Sequence, residues 1–124
     1  EYPFSGSTIP KNPSNPSYPQ RDPDPIVNIV TYGKGGKELI SLYDYPLNTV
    51  YYSKKSEIRV TCSPIVGLAP DYSVLIMSKP VKKSNIDYEM VIHTPDSPSY
   101  QKWVDKCTNK MPGGGKAPRA YGWL

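Results

Sequence analysis

Side chains on which small catalytic and metal sites depend are scarce in this sequence of 124 residues. It contains one histidine, His93, and two cysteines, Cys62 and Cys107. A zinc site built from cysteine and histidine needs four such ligands, and a Ser-His-Asp triad would have to use His93. No apolar run approaches the roughly 18 residues of a membrane-spanning helix. We therefore expect no metal, no cofactor and no transmembrane helix.

Apolar residues are also few. Only 37% of the chain is hydrophobic, and 11 of those residues are tyrosines. The length allows one domain and makes a second improbable, with a small aliphatic core that tyrosines help to complete. Fifteen prolines exclude a mostly helical chain, and the net charge is +4.

Proline is concentrated at the beginning of the chain. Seven of the prolines lie in residues 1–25, and each lacks the amide hydrogen that a helix or sheet ladder needs. We expect an extended segment with polyproline-like stretches and almost no sheet ladder. Whether this segment docks on the domain formed by residues 26–124 stays open.

Residues 26–94 predict a sheet, because short runs rich in Val, Ile, Leu or Tyr alternate with turn-forming residues. Several runs have period two, so that Tyr88, Met90 and Ile92 would share one face. Short links favour an antiparallel meander of six strands, curled into a barrel or sandwich. The six predicted strands are 26–32, 38–45, 49–53, 57–63, 73–79 and 86–94.

One C-terminal helix is predicted over residues 97–108. Ser97 suits its N-cap, and an apolar stripe falls at i, i+3, i+4 and i+7. The stripe consists of Tyr100, Trp103, Val104 and Cys107. A glycine-rich tail follows, and its hydrophobic ending at Tyr121, Trp123 and Leu124 would either pack back on the domain or bind a partner.

The two cysteines are predicted to form a disulfide. Cys62 falls on the apolar face of a predicted strand, and Cys107 falls on the apolar stripe of the helix, so both would meet in the core. A disulfide indicates an oxidising compartment. A chain that begins at Glu1 rather than Met is also typical of a protein whose signal peptide was removed. We therefore expect a secreted, extracellular protein.

Lysines concentrate in three of the predicted turns. In an up-and-down meander, the first, third and fifth turns lie at one end of the sheet, so their lysines would form a basic pole. Such a pole would suit an anionic partner. The predicted anion-binding residues are Lys34, Lys37, Lys54, Lys55, Lys82 and Lys83.

Three other residues permit a catalytic alternative. Glu57, Arg59 and His93 fall on outward faces of predicted strands. The set resembles the site of small secreted ribonucleases of the T1 type, and so does the Ile-His-Thr ending of the last strand. The resemblance implies a glutamate base, a histidine acid and an arginine that steadies the phosphate, placed on adjacent strands of an antiparallel sheet. The chain lacks the N-terminal helix and the disulfide spacing of these ribonucleases.

The overall organisation resembles small secreted fungal effectors and protein elicitors, including those that induce the hypersensitive response. The resemblance is carried by the start at Glu1, the proline-rich segment to Pro25, the tyrosine-rich strands and the Cys62–Cys107 pair. It implies a virulence-related protein that acts outside the producing cell and is perceived in plant defence.

We predict a non-enzymatic binding protein, a monomer that recognises a host cell-surface or membrane component. Its partner would be an anionic lipid or polysaccharide rather than a nucleic acid. Two alternatives stay open: a T1-like ribonuclease, and a structural or adhesive protein of the cell wall.

Overall fold

The computed structural model describes residues 8–9, 20–21, 24–52, 57–110 and 119–124. For residues 8–9, 20–21, 50–52 and 57–59 the description covers the backbone alone. These residues are mainly β with one short helix, α1 (Tyr100–Val104). The strands are β1 (Thr8–Ile9), β2 (Gln20–Arg21), β3 (Ile26–Tyr32), β4 (Glu38–Pro46), β5 (Asn48–Tyr52), β6 (Glu57–Thr61), β7 (Val74–Ser78), β8 (Tyr88–His93), β9 (Asn109–Lys110) and β10 (Ala120–Tyr121).

The sequence located all six of the longer strands to within two residues, but it predicted their arrangement wrongly. β4, β3, β8 and β7 form one sheet in that order, and β3 pairs with β8 in parallel. β5 and β6 belong to a second sheet with β1 and β2, while β9 and β10 form a pair of their own. A single six-stranded antiparallel barrel is therefore not formed by the described residues.

Most of the proline-rich segment, residues 1–25, lies outside the described residues. Its two described pieces, β1 and β2, pair with each other, and Gln20 of β2 pairs with Val50 of β5. These positions contain no proline and so keep the amide hydrogens that a ladder needs. The expectation of almost no ladder in this segment stays a prediction, because most of its residues lie outside the described part of the chain.

The core lies on one face of the mixed sheet, along β3 and β8. Directly paired residues of parallel strands point to the same side. The pairs Val27–Tyr88, Ile29–Met90 and Thr31–Ile92 are all buried. Burying an apolar side chain of this size stabilises the fold by about 1.5–3 kcal/mol.

The second sheet is attached to this core at both of its longer strands. Leu47, which precedes β5, is fully buried, and its amide donates to the Pro25 carbonyl over 2.8 Å. Cys62, which follows β6, belongs to the same buried cluster. The predicted apolar face of β6 is only partly buried, because Val60 is exposed.

The predicted Cys62–Cys107 disulfide is not formed, and both thiols are free. The Cys62 thiol is hydrogen-bonded to Tyr45, and burial raises its pKa above the usual range. The Cys107 thiol instead donates to the Trp103 carbonyl in the last turn after α1, over 3.4 Å. Cys62 belongs to the core cluster and Cys107 does not, and the two sulfur atoms do not lie within bonding distance.

The apolar stripe of the helix is confirmed, although the helix is shorter than the predicted 97–108. All four stripe residues are half-buried, and the residues between them are exposed. Hydrogen-bonded turns continue from the helix at both ends, so that turns and helix together run from Ser97 to Cys107. Ser97 is not the N-cap; Ser99 precedes the helix, without a side-chain capping bond.

Two threonine hydroxyls in the core have no hydrogen-bond partner among the described residues. They belong to Thr31 and Thr49, both fully buried. A buried hydroxyl without a partner costs about 1–3 kcal/mol. These two positions are therefore local sources of instability.

We expect Thr31→Val to raise the free energy of unfolding by about 1 kcal/mol, because valine keeps the shape of threonine without its hydroxyl. Thr61→Val is the matched control, since Thr61 is exposed and gains nothing from losing the hydroxyl. Urea denaturation of both variants and the native protein measures the difference. A less stable Thr31→Val protein would show that the hydroxyl has a partner.

Candidate functional site

The carboxyl ends of β3 and β8 lie side by side, because these strands run parallel. Tyr32 and His93 are directly paired at this edge of the sheet. The loops that follow also meet, since a Cβ atom added to Gly36 would lie 3.6 Å from the ring of Pro98. Ligand sites in open sheets are commonly built from loops at the carboxyl ends of parallel strands. This edge is therefore the first candidate for a site.

His93 is buried at this edge, with 9% of its surface exposed. Its imidazole stacks on the Tyr32 ring, with centroids 5.5 Å apart. Its Nδ1 atom lies 3.0 Å from the hydroxyl oxygen of Ser97. Burial lowers the pKa of His93 below its usual value of about 6.5, and the nearby positive charge of Lys102 lowers it further. The imidazole is therefore neutral at pH 7.

Ser97 closes a tight turn over His93. Its amide donates to the Thr94 carbonyl over 2.9 Å, and the Thr94 hydroxyl donates to the Asp96 carboxylate. The Asp96 carboxylate is thus hydrogen-bonded to Thr94, and it does not orient the imidazole as the acid of a triad does. Ser97 is only 6% exposed, so its hydroxyl is enclosed. This geometry favours a structural role for the His93–Ser97 pair.

The three residues of the ribonuclease alternative do not lie on neighbouring strands. β6, which carries Glu57 and Arg59, pairs with β5, whereas β8, which carries His93, lies between β3 and β7 in the other sheet. The expected arrangement of strands is therefore wrong. His93 lies on the face opposite to the core residues Met90 and Ile92, as predicted, but it is buried there. The side chains of Glu57 and Arg59 lie outside the described part of the structure.

The predicted basic pole is divided between two edges of the mixed sheet. Lys34 and Lys37 follow the carboxyl end of β3. Lys82 and Lys83 lie between β7 and β8, at the opposite edge, because β8 runs parallel to β3. Lys54 and Lys55 lie outside the described residues. The expectation that these lysines share one end is therefore wrong, and it followed from assuming a meander.

Cations surround Trp103 on α1, a feature that the sequence analysis did not single out. The Nζ atoms of Lys102 and Lys106 lie 5.4 and 4.9 Å from the centre of the indole ring. Tryptophan is the aromatic residue that attracts ammonium groups most strongly. Both lysines are exposed while Trp103 is half-buried, so the ring holds two positive charges at the surface.

The C-terminal tail packs against the end of this helix. β10 pairs with β9, which places Tyr121 opposite Asn109. Gly122 lies so close to the Lys106 carbonyl that an added Cβ atom would be 2.1 Å from its oxygen. Only glycine fits such an approach. Trp123 follows directly, and its ring meets the edge of Tyr121 with centroids 6.2 Å apart.

We call this region the aromatic–basic surface. It consists of Lys102, Trp103, Lys106, Tyr121, Trp123 and Leu124. Both tryptophans of the chain belong to it. Residues 99–110 and 119–124 contain four cations, Lys102, Lys106, Lys110 and Arg119, against one acid, Asp105, which gives a local charge of +3. These two segments therefore carry most of the net charge of +4.

A sequence signal for this surface exists. Lys106 lies at i+3 from Trp103, the spacing of neighbours on a helix surface, and Lys102 directly precedes Trp103 in the sequence. The lysine pairs of the turns form more conspicuous clusters in the sequence. The contact of the tail with Lys106 leaves no local pattern, because it depends on how β10 returns to β9.

No known family model matches the sequence, and no curated protein or solved structure shows significant similarity to it. The resemblance to fungal effectors and elicitors therefore stays a prediction from composition. Among the described residues, no group of three or more histidine, cysteine or carboxylate side chains is placed to hold a metal ion. None of the described helices has the length and apolar character needed to cross a membrane.

The lowered pKa of His93 predicts how stability depends on pH. Since the unfolded chain binds the proton more tightly, the free energy of unfolding falls as the pH falls through about 6.5, and this loss ends below the folded-state pKa. Above pH 7.5 the contribution is constant. Chemical denaturation of the native protein and His93→Gln between pH 5.5 and 8 measures the slope, which the variant should lack.

A direct titration provides the control, because His93 is the only histidine. Its ring protons are followed by NMR in the native protein, and their midpoint should lie below pH 6.5. A midpoint above 6.5, or equal slopes in the native protein and the variant, would contradict the enclosed, neutral imidazole.

Proposed function

We propose that this protein is a non-enzymatic binding protein that recognises an anionic partner through the aromatic–basic surface. The observation that carries the proposal is the packing of Lys102 and Lys106 against Trp103, together with the approach of Gly122, which precedes the exposed Trp123, to the Lys106 backbone. The ammonium groups attract anions, and the aromatic rings supply contact area that does not depend on charge.

The distribution of charge supports this surface over the other lysines. A local charge of +3 on 18 residues attracts anions more strongly than the same charge spread over two edges of a sheet. Lys34 and Lys37 also share their edge with Glu38 and Asp96. The sequence-predicted lysines are therefore the weaker candidates.

The geometry around His93 supports binding over catalysis. A hydrolase that used Ser97 as its nucleophile would need the serine hydroxyl to reach a substrate. In this structure that hydroxyl is enclosed and lies within hydrogen-bonding distance of His93. A role outside the producing cell, as an effector or elicitor perceived by plant cells, is part of the proposal. It is supported by the composition of the sequence and by its resemblance to such proteins.

Charge reversal on α1 tests the proposal. We expect Lys102→Glu with Lys106→Glu to elute from heparin, a sulfated polysaccharide, at lower salt than the native protein. Two lysines become repulsive beside the bound anion, and exposed charges act over about one Debye length. Affinity chromatography in a salt gradient measures the shift.

Lys82→Glu with Lys83→Glu is the matched control. It changes the net charge by the same amount, from +4 to zero, at the other edge of the mixed sheet. This variant should elute later than the α1 variant. If the control loses heparin binding and the α1 variant keeps it, the binding surface is the one predicted from the sequence and the proposal is wrong.

The same two variants test the elicitor activity. Infiltration of the native protein into leaves should cause a defence response that the α1 variant causes only weakly and the control variant keeps. A response to the α1 variant equal to that of the native protein would separate elicitor activity from this surface.

A further inference from the structure

We infer that the anionic partner of the aromatic–basic surface is the headgroup region of a phospholipid bilayer, into which Trp123 and Leu124 insert. The inference rests on the proposed function, since it names the partner of the same surface. It is carried by the exposure of two adjacent large apolar side chains beside a cluster of cations.

Trp123 and Leu124 are 85% and 79% exposed. A tryptophan and a leucine at this exposure turn a large apolar area toward water. A sulfated polysaccharide or a nucleic acid would stack on the indole ring, but neither offers an apolar environment to the leucine. The boundary between lipid headgroups and acyl chains suits both side chains, because indole prefers that depth and leucine prefers hydrocarbon.

The cations are placed to support such an insertion. Lys102 and Lys106 flank Trp103 on α1, and the backbone at Gly122 lies against Lys106. We call Trp123 and Leu124 the apolar tip. Because Gly122 directly precedes the tip, the tip and the two lysines belong to one surface. Basic residues near an anionic leaflet add attraction that falls off within a Debye length. The surface thus combines an apolar anchor with an electrostatic one, the pair of signals that stable membrane attachment requires.

The tip is held in place by the fold. The β9–β10 pairing and the edge contact between Tyr121 and Trp123 orient the tail. At Gly122 any larger side chain would collide with the Lys106 carbonyl. A tip fixed in this way loses little conformational freedom on binding, which favours affinity.

The test uses the whole protein with vesicles of equal parts phosphatidylserine and phosphatidylcholine, and with vesicles of phosphatidylcholine alone. Co-sedimentation measures binding, and a blue shift of tryptophan emission reports insertion. We expect binding and a blue shift with the anionic vesicles alone. Trp123→Ala with Leu124→Ala should weaken that binding about tenfold or more.

Val66→Ala with Val81→Ala is the matched control, because both valines are exposed elsewhere on the surface. Its vesicle binding should equal that of the native protein. Gly122→Ala keeps the apolar tip in the chain but displaces it from α1, and it should also weaken vesicle binding. Thermal unfolding of each variant confirms that it folds.

The outcomes separate this inference from the proposed function. Native protein that binds heparin but not anionic vesicles overturns the lipid inference and leaves the proposed function standing. Native protein that binds neither overturns both. Equal binding to both kinds of vesicle, or full vesicle binding by the Trp123→Ala and Leu124→Ala variant, also overturns the inference.

Discussion

The parallel pairing of β3 with β8 determines the rest of the described structure. It joins strands that are about 60 residues apart in the sequence and buries Val27, Ile29 and Thr31 beside Tyr88, Met90 and Ile92. A one-residue slip of either strand would turn its apolar residues away from the core. The burial pattern therefore fixes the register, and the register brings both carboxyl ends to one edge.

Several features follow from that edge. The Tyr32 ring is placed to stack on His93, and the turn after β8 folds back so that Ser97 reaches the imidazole. The chain then enters α1, which presents its cations around Trp103, and the tail returns to the same end of the helix. Lys82 and Lys83, between β7 and β8, lie at the opposite edge. The aromatic–basic surface, and not a basic pole of turns, is thus what the topology assembles.

The sequence predicted local features well and long-range pairing poorly. Alternation along β8 identified its buried face, and the i, i+3, i+4, i+7 spacing identified the stripe of α1, because both depend on neighbouring residues. Parallel pairing leaves no such signal, so short links alone predict a meander, and a meander groups Lys34 with Lys82. Ser97 resembled an N-cap by position, whereas its hydroxyl is bonded to a histidine four residues earlier. The two cysteines fall on apolar patterns, but only Cys62 joins the core cluster and both thiols are free.

The measurement that tests this account most directly is a set of nuclear Overhauser effects between backbone protons of β3 and β8. We expect cross-strand contacts in parallel register, such as between backbone protons at and beside Ile29 and Met90, together with contacts from β8 to β7. A β8 strand that contacts β7 alone, as the last strand of a meander would, contradicts it. In that case Tyr32 would not pair with His93, and the separation of Lys34 and Lys37 from Lys82 and Lys83 would no longer hold.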